Sequence, residues 1–133
     1  MKNVIYVMVI LFSLAACKSV RENPNEITIT SKKEVAVNDY TIVIDKIISD
    51  SRCPEGVTCV WAGELVVKLS VWQNEVLKET TQIAFSPSTR DENLAWFVKY
   101  IPQNKKLKSY KVSPIKTENR IELKDYKIQL ILE

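Results

Sequence analysis

The residues of this 133-residue chain best equipped for chemistry are three cysteines, Cys17, Cys53 and Cys59, because the sequence contains no histidine. Without imidazole, Ser-His-Asp and Cys-His nucleophilic arrangements are unavailable. So are zinc and copper sites built on histidine. Paired carboxylates can hydrolyse without histidine, but Asp91-Glu92 and the other acids stand beside basic or polar neighbours in predicted turns. They read as a solvated surface. No glycine-rich phosphate loop, calcium loop or haem motif occurs. The sequence therefore predicts no catalytic residue, no metal site, no cofactor and no enzyme activity.

Cys17 is defined by what precedes it. Met1-Lys2-Asn3 is a short positive start, Val4 to Phe12 is an unbroken apolar run, and Leu14-Ala15-Ala16 leads directly into Cys17. A charged start, a short apolar block and a small-residue cleavage site make a secretory signal. A membrane-spanning helix needs about 20 apolar residues, whereas only 13 separate Asn3 from Cys17. Leu-Ala-Ala-Cys resembles the lipobox of bacterial lipoproteins. The resemblance implies cleavage before Cys17, a diacylglycerol thioether on its sulfur, and acylation of the new amino terminus. Two or three acyl chains hold a protein firmly, at about 0.8 kcal/mol per buried methylene. In that family an Asp after the lipidated cysteine favours inner-membrane retention in many Gram-negative bacteria. Lys18 stands there instead, which implies sorting to the outer membrane.

The lipobox resemblance changes the arithmetic of the remainder. Residues 1–16 become the signal, 17–25 a lipidated cysteine with a polar tether, and 26–133 one domain of ordinary size. Lys2 leaves with the signal, so 19 − 1 = 18 basic residues face 16 acidic ones. That balance gives no reason to expect nucleic acid as a partner. With Cys17 lipidated, Cys53 and Cys59 are an even pair in an oxidising compartment, where a disulfide is expected. The expected partners are the membrane, through the anchor, and a protein of the cell envelope.

Around that pair runs Asp50-Ser-Arg52-Cys53-Pro54-Glu55-Gly-Val-Thr-Cys59-Val-Trp61-Ala-Gly-Glu64. It closes a small loop between two predicted strands, a staple worth about 2 kcal/mol on the chain-entropy model. Three roles compete for it. As a staple, Arg52 pairs at the surface with Asp50, Glu55 or Glu64, and Trp61 covers the disulfide. As a binding site, a stiff loop presents Arg52, Pro54, Glu55 and Trp61, and Arg and Trp are frequent interface anchors. A narrower form offers Arg52 to a trypsin-like protease as an inhibitor, or uses the loop to sense a ligand. As a redox site, the five-residue spacing is wider than the Cys-x-x-Cys of thiol oxidoreductases. The string Asp-Ser-Arg-Cys-Pro, four residues, Cys, one residue, Trp-Ala-Gly resembles a motif of an uncharacterised family of small secreted and lipid-anchored bacterial proteins. Tyr110 to Pro114 and Asp125 to Leu132 match that family's closing segments. The resemblance spans most of the domain and implies a fold, without an activity.

The elements that must hold this loop alternate with period two. Ile27 and Ile29, Tyr40, Ile42 and Ile44, then Leu65, Val67, Leu69 and Val71 point one way along successive strands. Gln73-Asn74-Glu75 predicts a hairpin turn, returning through Leu77, Thr81, Ile83 and Phe85. Tyr126, Ile128, Leu130 and Leu132 make the cleanest strand. The segments 35–44 and 121–130 echo one another, each with a polar-Asp-Tyr corner where parity flips. This predicts two edge-bend-strand elements with Tyr40 and Tyr126 turned inward. Thr89 to Glu92 has the form of a helix capping box, but Trp96 to Ile101 is rich in strand formers. The expectation there is a strand with one helical turn near Asp91. Lys105-Lys106-Leu107-Lys108 reads as a solvated loop. Short strands with non-glycine turns predict an all-β fold, an antiparallel β-sandwich or small barrel with one disulfide.

Overall fold

Alternating apolar residues oblige each strand to bury one face, and two sheets facing each other satisfy that requirement. In the computed structural model of the protein the described residues are 23–33, 36–37 and 39–133. The predicted signal, Cys17, most of the tether and Val35 lie outside them. Strands β1 (Glu26–Ile29), β2 (Ala36–Val37), β3 (Tyr40–Asp50), β4 (Leu65–Gln73), β5 (Val76–Phe85), β6 (Leu107–Ser113) and β7 (Lys127–Leu132) form two antiparallel sheets. One runs β1-β7-β6, the other β2-β3-β4-β5. Ile42, Ile44, Leu65, Val67, Leu69, Val71, Ile83 and Phe85 face Ile29, Ile128, Leu130 and Leu132 across one core. The architecture is an open β-sandwich; the sheets do not close into a barrel.

Local irregularities decide which residues reach that core. The β3–β4 ladder shifts register between Ile44 and Lys46 and again between Ile47 and Ser49. Such bulges change parity, so Ile47 packs on the core although Ile44 is three residues away. The β4–β5 hairpin turns on Asn74 (φ 49°) and Glu75 (φ 65°), with Gln73 opposite Val76. Two left-handed residues match the twist of the flanking strands. Beyond the turn, Val71 pairs with Glu79 and Trp72 with Leu77, leaving Lys78 as an extra residue. That bulge puts Leu77 on the face of Trp72, where it is exposed. Its expected inward place is corrected accordingly.

The two echoing segments diverge. Asp39, at φ 70°, lets β2 fold back on the open edge of β3. Residues 123–125 instead form a 3-10 turn, closed by the Tyr126 N–H on the Leu123 carbonyl. β7 is paired on both sides by β1 and β6. A strand before it has no edge to join, so the expected edge-bend-strand is absent there. Tyr40 packs against the core and Tyr126 is buried within it, as the alternation predicts.

Residues 90–98 are helical (α1, Arg90–Val98), which corrects the expected strand. A strand would turn Phe97 and Ile101 to one side and Trp96 and Tyr100 to the other. In the helix and the turn that follows it, Phe97, Tyr100 and Ile101 are all buried. Phe97 stacks on Phe85, with ring centroids 6.3 Å apart, and Tyr100 meets Tyr40 edge-on at 5.2 Å. The cap also differs from the expected one. Thr89 makes no side-chain cap bond to α1; its hydroxyl donates to the Ala84 carbonyl at 2.6 Å. The buried Asn93 amide donates to that carbonyl as well, at 2.9 Å, and to the Tyr110 hydroxyl at 3.2 Å. Glu79 of β5 accepts from the Trp96 indole at 3.2 Å and from the Tyr100 hydroxyl. Those bonds, Tyr100's foremost, hold the Glu79 carboxyl below its ordinary pKa.

Phe97→Ala should therefore lose about 3–5 kcal/mol in urea denaturation, the usual cost of emptying a buried aromatic position. The half-exposed neighbour Val98 should tolerate Ala within about 0.5 kcal/mol. Equal effects at the two positions would contradict the helical packing.

Candidate functional site

The loop between β3 and β4 is a continuation of their ladder. The Ser51 N–H donates to the Glu64 carbonyl at 2.9 Å and the Cys53 N–H to the Ala62 carbonyl at 3.1 Å. Cys53 and Cys59 are disulfide-bonded across a Cα separation of 5.9 Å. Gly63, at φ +67°, sits so close to Ser51 that an added Cβ would lie 1.9 Å from its carbonyl oxygen. Only glycine fits this crossing. The Glu55 N–H reaches the Lys116 carbonyl at 2.8 Å and ties the loop to the segment after β6.

Beneath the loop lies the best-satisfied carboxylate of the site. Asp50, whose side chain is 7% exposed, closes β3. The Arg52 guanidinium grips it bidentately, Nε to Oδ1 and a terminal nitrogen to Oδ2, both at 2.8 Å. The Tyr126 hydroxyl donates to Oδ2 at 2.8 Å, and the Lys116 ammonium stands 3.9 Å away. The remaining guanidinium nitrogen donates to the Pro114 carbonyl at 3.0 Å. Burial by itself would raise the Asp50 pKa, but the donors from Arg52 and Tyr126 outweigh it and hold the carboxyl below its ordinary value. Burial first, and then the hydrogen bond to Asp50, push the Tyr126 phenol up to about 12.

This geometry redistributes the predicted site residues. Arg52 pairs with Asp50, one of the expected acids, but in a largely buried network and not at the surface. Its side chain is turned inward. Presenting it to a protease would break three hydrogen bonds, and nothing in the geometry favours the inhibitor form. Pro54 is half-buried and Glu55 is exposed on the loop. Trp61 does not cover the disulfide as a buried lid: it is 81% exposed, and Val60 beside it is 93% exposed. Val60 and Trp61 thus make an exposed apolar pair on a disulfide-braced loop, which also carries the half-exposed Val57. Asp91 and Glu92 are exposed on α1. Among the described residues no group of three or more Cys, Asp or Glu could hold a metal ion.

The sequence did not reveal the cleft beside the loop. About 440 Å³ of space opens between Arg52 and Ala62 on one wall and Ser86 and Arg90 on the other, over Phe85 and Tyr110. The Arg90 guanidinium lies 5.8 Å from the centre of the Tyr110 ring. Of the predicted binding residues, only Arg52 lines it. The register also fixes where this end of the molecule points. The Leu132 N–H donates to the Asn25 carbonyl at the C-terminal end of β7, whereas Asp50 and the loop meet Tyr126 at its start. The chain toward the N-terminus and the loop thus leave opposite ends of β7, about 20 Å apart at 3.4 Å per residue.

Two expectations follow. A carboxyl with a depressed pKa stabilises the fold above the ordinary carboxylate pKa and loses that contribution as the pH falls through its folded value. Asp50→Asn should cost about 2–3 kcal/mol at pH 7, below the full penalty for a buried pair because Arg52 retains some solvent. Its stability should also fall less steeply than wild type below about pH 4 in acid-denaturation curves. Tyr126 has the opposite sign: its contribution is intact below about pH 10 and is lost as the pH rises through its raised value of about 12. Tyr126→Phe should remove one late-ionising phenol from the ultraviolet titration and flatten the alkaline loss of stability.

No family model matches the chain, and neither a curated protein nor a solved structure matches it significantly.

Proposed function

We infer that this is a lipid-anchored protein of the bacterial cell envelope that works by binding a partner or ligand and not by catalysis. The lipobox-like Leu-Ala-Ala-Cys17 supports the anchor, and Lys18 supports sorting to the outer membrane. The lack of histidine supports a non-enzymatic role. The observation that carries the binding role is the loop tip: Val60 and Trp61 are almost fully exposed on a loop braced by a disulfide, a ladder and the Asp50 network. A stiff aromatic tip loses little entropy on association, and tryptophan is among the commonest interface anchors. The tip also lies at the far end of β7 from the tether, which suits a surface held away from the anchoring membrane.

Two measurements test the two halves of this reading. Cys17→Ser should lose labelling by radioactive palmitate while keeping the thermal melt of the wild-type domain; undiminished labelling would remove the lipid anchor. In the Cys17→Ser background, Trp61→Ala should weaken crosslinking to an envelope partner about thirtyfold, the loss of about 2 kcal/mol expected of an interface anchor. An unchanged crosslink with an unchanged fold would leave the loop as a staple alone.

A further inference from the structure

We propose that the cleft beside the disulfide loop binds a small organic monoanion with a flat apolar body, such as an aromatic carboxylate. The proposal rests on reading this end of the molecule as a binding site, and it is independent of the lipid anchor. Charge points to the sign of the ligand. Arg52 and Arg90 line the cleft and no acidic residue does. Asp50 already neutralises Arg52. Arg90 forms no ion pair among the described residues, so one uncompensated guanidinium remains at the rim. That favours a single negative charge over a phosphate cluster or a polyanion.

The floor points to the body of the ligand. Phe85, itself 6% exposed, and Tyr110 meet edge-to-face at 5.3 Å, with Val112 alongside. An aromatic ring laid on that floor would bring its carboxylate to Arg90, whose guanidinium is already steadied by the Tyr110 face. The volume of about 440 Å³ falls within the range of small-molecule sites.

The walls are fixed before any ligand arrives. Arg52 is held by Asp50 and Pro114, Gly63 crosses against Ser51, and Thr89 and Asn93 bind the Ala84 carbonyl under the turn that carries Ser86. A prearranged cleft loses little on closing around its ligand.

2-Naphthoate and its neutral counterpart 2-naphthamide separate this idea from non-specific hydrophobic binding. In isothermal titration of the purified Cys17→Ser protein, naphthoate should bind at least about tenfold more tightly than the amide, a difference of one charge-assisted contact. Arg90→Gln, at an exposed position, should erase that preference without changing the melting temperature. The amide resonances of Phe85, Ser86 and Val112 should shift on titration while those of Val60 and Trp61 stay still. Equal binding of the two compounds, no binding of naphthoate at millimolar concentration, or an undiminished preference in Arg90→Gln would each overturn the proposal. None of these outcomes alters the Trp61 crosslinking test, so the cleft and the loop tip can fail separately.

Discussion

A carboxylate withdrawn from water must be supplied with donors, and the way Asp50 is supplied organises one end of this molecule. Asp50 belongs to the four-stranded sheet, Tyr126 directly precedes the central strand and Pro114 directly follows an outer strand of the three-stranded one, and Arg52 lies in the loop between β3 and β4. One bidentate ion pair and one phenol therefore clamp both sheets and the loop to a common point. The apolar core would hold the sheets face to face without it, but dispersion and burial are not directional. Charge-assisted hydrogen bonds are directional, and they set the angle at which the loop leaves the sandwich. The disulfide then stiffens a loop whose root is already fixed.

At the side of the sandwich, α1 is held chiefly by packing, with the Glu79 carboxylate accepting from Trp96 and Tyr100. Phe97 packs against both Phe85 and Tyr110, and Asn93 joins Thr89 in donating to the Ala84 carbonyl near the end of β5. The same few residues build the cleft. Phe85 and Tyr110 form its floor because α1 holds them together from behind, and Arg90 reaches its rim because it opens that helix. The cleft is a product of how the helix docks, with the loop as its opposite wall.

Much of the fold was legible from the chain because period-two alternation is a local signal that burial enforces. The inward positions of β4 and the order Tyr126, Ile128, Leu130, Leu132 needed no tertiary information. Departures came where a neighbour, and not the segment itself, chose the outcome. Leu77 changes face because of a bulge opposite Val71 and Trp72. Ile121 to Leu123 form no strand because β7 has no free edge. Trp96 to Ile101 contains strand formers, yet it coils because three of its side chains can be buried together only at helical spacing.

The sequence alone determined the chemistry on offer: a lipobox-like cysteine, one further pair of thiols, no imidazole, and a proline- and glycine-bearing loop with an arginine and a tryptophan. Those are properties of residue type and short spacing, which the chain carries with it. Only the tertiary structure decided what each side chain faces. Arg52 is drawn inward because Asp50, Pro114 and Tyr126 converge on it from positions up to 74 residues away. Trp61 is left in solvent because the ladder that fixes the loop leaves it nothing to pack against. Arg90 and Tyr110 share a cleft with Arg52 because two sheets and a helix end meet there, and no local pattern encodes such a meeting.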